Sequence, residues 1–201
     1  MKKIITIITL GLMIMACGKQ ESIKKIGITQ IVEHPALDGA RNGFLKALED
    51  AGYKDGENLK IEYQNAQGDQ AVAQSIAESF VSDSKDLILA IATPTAQAAY
   101  NATKEIPVLI TAVTDPIQAG LAKSLEKSET NVTGTSDATP IDKQFALIRE
   151  LLPESKKVGI VYNTSELNSE VQVAQAKVIA QKYGLELVIK GVTSVNDLAQ
   201  V

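Results

Sequence analysis

The stretch that decides the fold is LILAIATPTA at residues 87–96. Its first six residues, LILAIA, are apolar without interruption, which is typical of a central parallel strand that helices cover on both faces. Thr93 and Pro94 then suit the N-cap and the first position of a helix. A buried strand that runs directly into a helix predicts a βαβ unit and, with it, a parallel sheet.

Strand and helix patterns alternate on both sides of this stretch. Upstream, the patterns predict strands at 25–32 and 59–63 and helices at 36–51 and 69–81. Asp69 caps the second of these helices, which is predicted to bury Val72, Ile76, Ala77 and Phe80. Downstream, they predict strands at 108–112, 132–135, 158–162 and 185–189 and helices at 141–152 and 168–183. The sequence therefore predicts an α/β fold with a first lobe at 24–134 and a second lobe at 135–201.

The second lobe is expected to be incomplete. It contains too few strands to form a doubly wound sheet that is covered on both faces. A further helix begins near Ser194, and the sequence ends at Val201 before this helix is finished. We therefore expect the chain to be the front part of a longer protein.

The N-terminal segment has the pattern of an export signal. Lys2 and Lys3 precede an apolar run at 4–16, which is shorter than the roughly 20 residues of a membrane-spanning helix. The run ends at Cys17, the only cysteine. A lone cysteine is often a buried small hydrophobe, but the polar residues 18–22 that follow argue against burial. The residues IMAC at 14–17 resemble the bacterial lipobox, which implies a signal peptide at 1–16, lipidation of Cys17 and a lipidated tether at 17–23.

Composition narrows the class of function. Loss of residues 1–16 would remove Lys2 and Lys3 from the 20 basic residues and none of the 24 acidic ones, so the net charge would change from −4 to −6. An acidic chain argues against nucleic acid as a partner. His34 is the only histidine, which excludes a two-histidine metal site, and no glycine-rich phosphate loop is present. We therefore expect no catalytic residues, no metal, no cofactor and no enzymatic activity.

Four segments carry a resemblance to a known family. The first is ATPTAQA at 92–98, and the second is GFLKALEDAGY at 43–53 with GENLKIEY at 56–63. The third is TDP at 114–116 with AGL at 119–121 and NVTGTS at 131–136, and the fourth is LLP at 151–153 with VGIVYN at 158–163. Together these segments resemble the substrate-binding lipoproteins of ABC importers that bind tryptophan, tyrosine or phenylalanine. The resemblance implies a two-lobed periplasmic-binding-protein-like fold with parallel doubly wound sheets. It also implies a ligand in the interlobe cleft, an ABC permease as partner, attachment to a bacterial membrane by a lipid anchor, and a monomer.

Thr95 and Ala96 are the first candidate ligand residues. Ligands of parallel α/β sheets lie beyond the carboxyl ends of the strands, where this helix begins. With Thr93 as N-cap, the amides of Thr95 and Ala96 and the Thr95 hydroxyl would be free to bind a carboxylate, aided by the helix dipole. Ordinary helix capping explains the same residues without a ligand, and the resemblance favours the binding role.

Other candidates also follow predicted strands. Asp137 could pair with a ligand ammonium or could form a turn, and Ser136 lies beside it. Asp115, which precedes Pro116, favours a turn over ligand contact. In the second lobe Asn163 and Ser165 could hydrogen-bond a ligand, whereas Glu166 could equally be a solvated loop charge. His34 is either a surface residue or a cleft residue that stacks on an aromatic ligand or hydrogen-bonds to it.

The leading hypothesis is an extracytoplasmic solute-binding lipoprotein that captures a small zwitterion, an aromatic amino acid, for a membrane permease. Within the same class the ligand could be a nucleoside, a sugar or a branched-chain amino acid. The rival from another class is an extracytoplasmic sensor domain that signals through a partner. Fold alone does not separate these hypotheses.

Overall fold

The first lobe is built on a five-stranded parallel sheet. A computed structural model describes residues 23–201, so the predicted signal peptide and the lipidation of Cys17 lie outside the described residues. The strands are β1 (Lys24–Gln30), β2 (Leu59–Asn65), β3 (Leu87–Ile91), β4 (Val108–Val113) and β5 (Val132–Ser136), in the spatial order β2-β1-β3-β4-β5. The apolar run of β3 lies at the centre of the sheet, as predicted. β5 pairs with β4 as far as Ser136, two residues beyond the predicted end of the first lobe at 134.

Three helices cover the two faces of this sheet. They are α1 (Pro35–Asp50), α2 (Gln70–Ser82) and α3 (Thr93–Ala102). The apolar side of α1 packs on one face, against Ile28 and Leu89 among others. α2 and α3 pack together on the other face, where Phe80 is fully buried and its ring lies against Gly27. A side chain at Gly27 would overlap this ring, so glycine is needed there to let α2 approach the sheet.

The apolar face of α2 differs from the prediction by one residue. Asp69 caps the helix as predicted, with its carboxylate accepting hydrogen bonds from the amides of Ala71 and Val72. Ile76, Ala77 and Phe80 are buried. The prediction is wrong for Val72, which is 42% exposed, because Ala73 is the residue of this turn that faces the sheet.

The second lobe contains a two-stranded parallel sheet with both helices on one face. Its elements are α4 (Ile141–Leu151), β6 (Lys157–Asn163), α5 (Leu167–Lys182), β7 (Glu186–Val192) and a 3-10 helix (Val195–Gln200). Phe145 of α4 and Ala176 of α5 belong to its core. β6 was predicted as a buried strand, which is wrong for one of its faces, since Val161 is 53% exposed. In residues 23–201, none of the helices combines the length and the apolar character needed to cross a membrane.

Candidate functional site

The predicted ligand residues all follow the carboxyl ends of strands. This is the edge at which ligands of parallel α/β folds bind. The set consists of His34 after β1, Thr95 and Ala96 after β3, Asp115 after β4, Ser136 and Asp137 at β5, and Asn163 and Ser165 at β6. The two lobes meet near this edge, because the Gln70 side-chain amide donates a hydrogen bond to the backbone carbonyl of Ser165.

The passage from β3 into α3 is strained. Ala92, with φ +87°, is the N-cap of the helix, so the prediction of Thr93 as N-cap is wrong. The Ala92 amide still donates to the Thr111 carbonyl at 3.0 Å, and the chain turns at this residue, one position earlier than predicted. Such a φ is unfavourable for a residue with a Cβ atom. Ala112 in β4 has φ +55°, so two adjacent strands carry strained alanines near their carboxyl ends.

This shift changes what Thr95 and Ala96 can offer to a ligand. The Thr95 hydroxyl donates to the carbonyls of Ile91 and Ala92, at 2.7 and 3.0 Å, and the Ala96 amide donates to the Ala92 carbonyl at 3.1 Å. The predicted free hydroxyl and free Ala96 amide are therefore wrong. Since the first amides of a helix have no acceptor within it, the N–H groups left at this end are those of Thr93 and Thr95.

Thr93 and Thr95 are both buried. Thr93 is 3% exposed, and its hydroxyl oxygen has no hydrogen-bond partner in the part of the chain that the structure describes. Thr95 and Ala96 are fully buried. Ala96 belongs to the core of the first lobe, and contact of Thr95 or Ala96 with a ligand stays a prediction.

The candidate residues around β4 and β5 differ in whether their side chains already form hydrogen bonds within the protein. The Asp115 carboxylate accepts from the amides of Ile117 and Gln118 at 3.0 and 2.9 Å, which is the turn geometry that its position before Pro116 favours. The Ser136 hydroxyl donates to the Thr114 carbonyl at 3.1 Å. Asp137 is exposed, and within residues 23–201 its carboxylate accepts no hydrogen bond.

In the second lobe the loop after β6 is held by its own side chains. The Asn163 amide nitrogen donates to Glu166 at 2.9 Å, and the Asn163 oxygen accepts from the amide and hydroxyl of Ser165, at 3.0 and 2.7 Å. A second amide, from Asn168, reaches Glu166 at 3.1 Å. Asn163 and Ser165 therefore fix the shape of this loop, and their contact with a ligand stays a prediction.

Tyr162 stands at the end of the same strand. Burial of its ring, followed by interaction of the phenol with the nearby Glu170 carboxylate, raises the pKa of the Tyr162 phenol above its ordinary value of 10.0. The phenol is therefore neutral at physiological pH. Its half-buried ring presents an aromatic surface close to the loop of Asn163.

His34 is the side-chain cap of α1. Its Nδ1 accepts a hydrogen bond from the Ala36 amide at 3.2 Å, so this nitrogen is occupied while the rest of the exposed ring is free. A capping role of this kind is one that sequence reasoning gives to Asp, Asn, Ser or Thr first. Within residues 23–201 no group of three or more His, Cys, Asp or Glu side chains could hold a metal ion.

Sequence reasoning missed a buried polar network at the end of β1. Gln30 is fully buried, and its amide nitrogen donates to Asp38 and to the Val32 carbonyl, both at 2.8 Å. Arg41 donates to the Gln30 oxygen at 2.8 Å and lies over the Tyr63 ring, 4.2 Å from its centroid. The network ties the end of β1 to the first turns of α1 and so fixes the loop between them. A polar residue at the inward position of a strand was the signal for it.

These features define a two-lobed α/β protein whose lobes face each other with the loops at the carboxyl ends of their parallel strands. Residues 25–201 match the family described as ABC transporter substrate binding protein, and the chain belongs to this family.

The similarity extends to individual relatives. A "Tyrosine-binding protein" of Clostridioides difficile (strain R20291) is 59% identical over 177 residues, which are 88% of this chain and 51% of the relative. The chain thus spans about half the length of this curated relative. An ABC domain from Streptococcus pneumonia, solved in complex with L-Trp, is 42% identical with a TM-score of 0.85, over 89% of this chain and 60% of that one.

A third comparison bears on the arrangement of the lobes. The ligand-free, open structure of a substrate-binding protein with adhesive properties from Clostridium difficile is 59% identical, with the same coverage of 89% and 60%. Its TM-score is only 0.66, although its sequence is more similar than that of the L-Trp complex. The described chain therefore resembles the ligand-bound relative more closely in shape than the open one.

Proposed function

We propose that this protein is the extracytoplasmic, lipid-anchored binding component of an ABC importer, and that it captures an aromatic amino acid between its lobes for delivery to a membrane permease. Family membership and the names of two relatives, one tyrosine-binding and one solved with L-Trp, support the proposal. The ligand stabilises the closed state by contacting both lobes. The protein acts as a monomer and performs no chemistry on the ligand.

The observation that carries this proposal is the strained backbone of Ala92 and Ala112. Strained residues persist only where the surrounding structure holds them, and they cluster at ligand sites. Both lie near the carboxyl ends of adjacent central strands, and α3, which begins directly after Ala92, contacts α5 of the second lobe. A helix N-terminus favours an anion, such as the carboxylate of an amino acid.

The two ends of the zwitterion have different partners. The ligand carboxylate accepts from the Thr95 N–H, since the Thr95 hydroxyl is committed to backbone carbonyls. The ligand ammonium pairs with Asp137, whose carboxylate is exposed. Tyr162 offers a ring for the aromatic side chain of the ligand.

Calorimetric titration of the whole natural protein tests the ligand class. L-Tyrosine, L-tryptophan and L-phenylalanine should bind, whereas nucleosides and sugars should not. Tyramine lacks the carboxylate and 3-(4-hydroxyphenyl)propionate lacks the ammonium, so each should bind at least about tenfold more weakly than L-tyrosine, because a hydrogen bond to a charged group contributes about 1.5–3 kcal/mol. Equal affinity for L-tyrosine, tyramine and 3-(4-hydroxyphenyl)propionate would contradict the zwitterion site.

Asp137→Asn separates the ammonium partner from the rest of the site. It should weaken L-tyrosine about tenfold and leave 3-(4-hydroxyphenyl)propionate unaffected. The matched control is Glu49→Gln, which removes an exposed carboxylate near the end of α1, at the opposite edge of the sheet. If both variants weaken L-tyrosine equally, general electrostatics and not a specific partner accounts for the effect.

The lipid anchor rests on the sequence around Cys17. Mass spectrometry of the protein from its native membrane should find a mature chain that begins at Cys17 and carries a diacylglyceryl group. Cys17→Ser should leave an uncleaved, unlipidated precursor. A mature chain with another N-terminus and no lipid would disprove the anchor without affecting the proposed ligand.

A further inference from the structure

We infer that Gln70 is a residue that sets ligand affinity without touching the ligand, because its side chain latches the two lobes in the closed state. This inference deepens the proposed function, on which it rests. Gln70 is the first residue of α2 in the first lobe, and its amide nitrogen donates to the backbone carbonyl of Ser165 in the second lobe. The two residues are 95 positions apart in the sequence.

The Gln70 side of this contact is rigid before the lobes meet. Asp69 caps α2 through the amides of Ala71 and Val72. The preceding turn is fixed by the hydrogen bond from the Gly68 amide to the Ile31 carbonyl at 2.7 Å, and Gly68 has the positive φ of +80° that this turn requires. Gln70 is therefore presented from an ordered helix start, and forming the contact orders little beyond one side chain.

The loop that carries the Ser165 carbonyl is also ordered before the lobes meet. Asn163 holds the amide and the hydroxyl of Ser165 and reaches Glu166, so the loop keeps its shape through hydrogen bonds within the second lobe. These bonds occupy the donors of Ser165 and leave its carbonyl oxygen for Gln70. Asn163 and Ser165, which the sequence suggested as ligand contacts, thereby serve the closure of the cleft.

A bond between the lobes acts on affinity through the conformational equilibrium. It exists only when the lobes are together, so it lowers the free energy of the closed state and leaves the open state unchanged. Where the open state predominates without ligand, the apparent dissociation constant changes by the same factor as the equilibrium between open and closed states. Because the contact is neutral and solvent-exposed, its loss should raise the dissociation constant about two- to fivefold.

Two substitutions test the latch with the whole natural protein. Gln70→Ala removes the donor, and Gln70→Glu replaces it with an acceptor that repels the Ser165 carbonyl. Gln70→Glu should weaken L-tyrosine about tenfold. It should not lower the melting temperature, since an acidic residue in the first turn of a helix is favourable. The matched control is Gln74→Ala, one turn along α2, whose side chain bonds to Glu78 of the same helix.

A distance measurement separates failure of the latch from failure of the proposed function. Spin labels at Ser79→Cys in α2 and Lys177→Cys in α5, in the mature protein without residues 1–16 and with Cys17→Ser, report the separation of the lobes with and without L-tyrosine. Both Gln70 variants should shift the distribution toward longer distances relative to the Gln74→Ala control. If the wild type binds none of the aromatic amino acids but its distances still respond to Gln70, the ligand is wrong and the latch stands. The latch is disproved by distances and affinities that equal those of the control, or by a wild type that never populates the short distance.

Discussion

The first and second lobes each contain a unit of a seven-residue strand, a sixteen-residue helix and another seven-residue strand. In the first lobe these are β1, α1 and β2, and in the second they are β6, α5 and β7. In both cases the two strands pair in parallel over seven residues. The two units therefore share their element lengths and their parallel strand pairing.

The two units differ in what is added to them. In the first lobe β3 lies on the other side of β1, and the sheet is covered by α1 on one face and by α2 and α3 on the other. In the second lobe both helices lie on one face, and the opposite face leaves Val161 and Val188 exposed. A strand–helix–strand unit is therefore enough to pair two strands in parallel. Burial of those strands on both faces depends on the elements added to the unit.

Hydrogen exchange should show the largest difference between the lobes. Amides in the described part of the first lobe, such as those of Ile28 and Ile88, are fully buried and should exchange only through global unfolding. Amides of β6 and β7 should exchange at least about a hundredfold faster, through local opening, which corresponds to about 2.7 kcal/mol. The comparison is made on a fragment of residues 24–201, and equal, strong protection in both lobes would contradict it.

Removal of a buried ring should affect the lobes unequally. Phe80→Ala should lower the free energy of unfolding by about 3–5 kcal/mol, because Phe80 is fully buried between α2 and the sheet. Phe145→Ala should cost less, about 2 kcal/mol, because Phe145 lines an open groove of about 450 Å³ into which neighbours and water can move. Urea unfolding followed by circular dichroism measures both, and equal costs would mean that the second core is as tightly packed as the first.

The strand glycines offer a matched pair. A Cβ atom at Gly134 in β5 would overlap the backbone carbonyl of Ile110, whereas a Cβ atom at Gly159 in β6 meets nothing within 4 Å. Gly134→Ala should therefore cost about 3 kcal/mol, and Gly159→Ala should be neutral or stabilise by up to about 1 kcal/mol. Thermal unfolding distinguishes the two, and a tolerated Gly134→Ala would show that β5 can separate from β4.

One ion pair in each lobe should also contribute differently to stability, with the larger contribution again in the first lobe. The Lys85 side chain is 4% exposed and pairs with Glu62, and this hydrogen bond, followed by that from Gln64, lowers the pKa of Glu62 below 4.5. Glu62→Gln should cost about 1–3 kcal/mol at pH 7. Hydrogen bonding to Lys182 likewise lowers the pKa of Asp142 in the second lobe, but both side chains are exposed, so Asp142→Asn should leave the stability within experimental scatter.

The pH dependence of this stability has a defined sign. Because the pKa of Glu62 is lower in the folded state, its contribution is fully present above the unfolded value of about 4.5 and is lost as the pH falls through the folded value. Wild-type protein should therefore lose more stability than Glu62→Gln between pH 5 and pH 3, as measured by urea unfolding at each pH. Parallel pH profiles would show that Glu62 makes no such contribution.

Much of the fold could be predicted because local signals and tertiary packing agree. The run LILAIA gave the central strand β3, and Asp69 marked the start of α2. The run VGIVY in β6 looked equally buried, but burial on both faces depends on neighbouring elements and not on composition. Val72 was predicted to be buried, but Ala73 is buried instead and Val72 is exposed. The cause is similar, since the packing of α2 on the sheet decides which of its residues are buried.

The strand ends could be predicted from the sequence, and the candidate residues follow them. Their contact with a ligand stays a prediction. The N-cap at Ala92 could not be found, because alanine is an unusual cap and a positive φ leaves no signal in a non-glycine residue. The interlobe bond of Gln70 was equally invisible, since it joins residues 95 positions apart that share no sequence pattern.

The backbone of Ala92 sets thermal stability against rigidity at the start of α3. Glycine at this position would relieve a conformational cost of about 1 kcal/mol and would be expected to raise the melting temperature. It would also let the start of α3 sample shapes other than the one seen here, so ligand affinity should fall as thermal stability rises. Alanine at position 92 therefore holds the start of α3 in one direction at a cost in thermal stability.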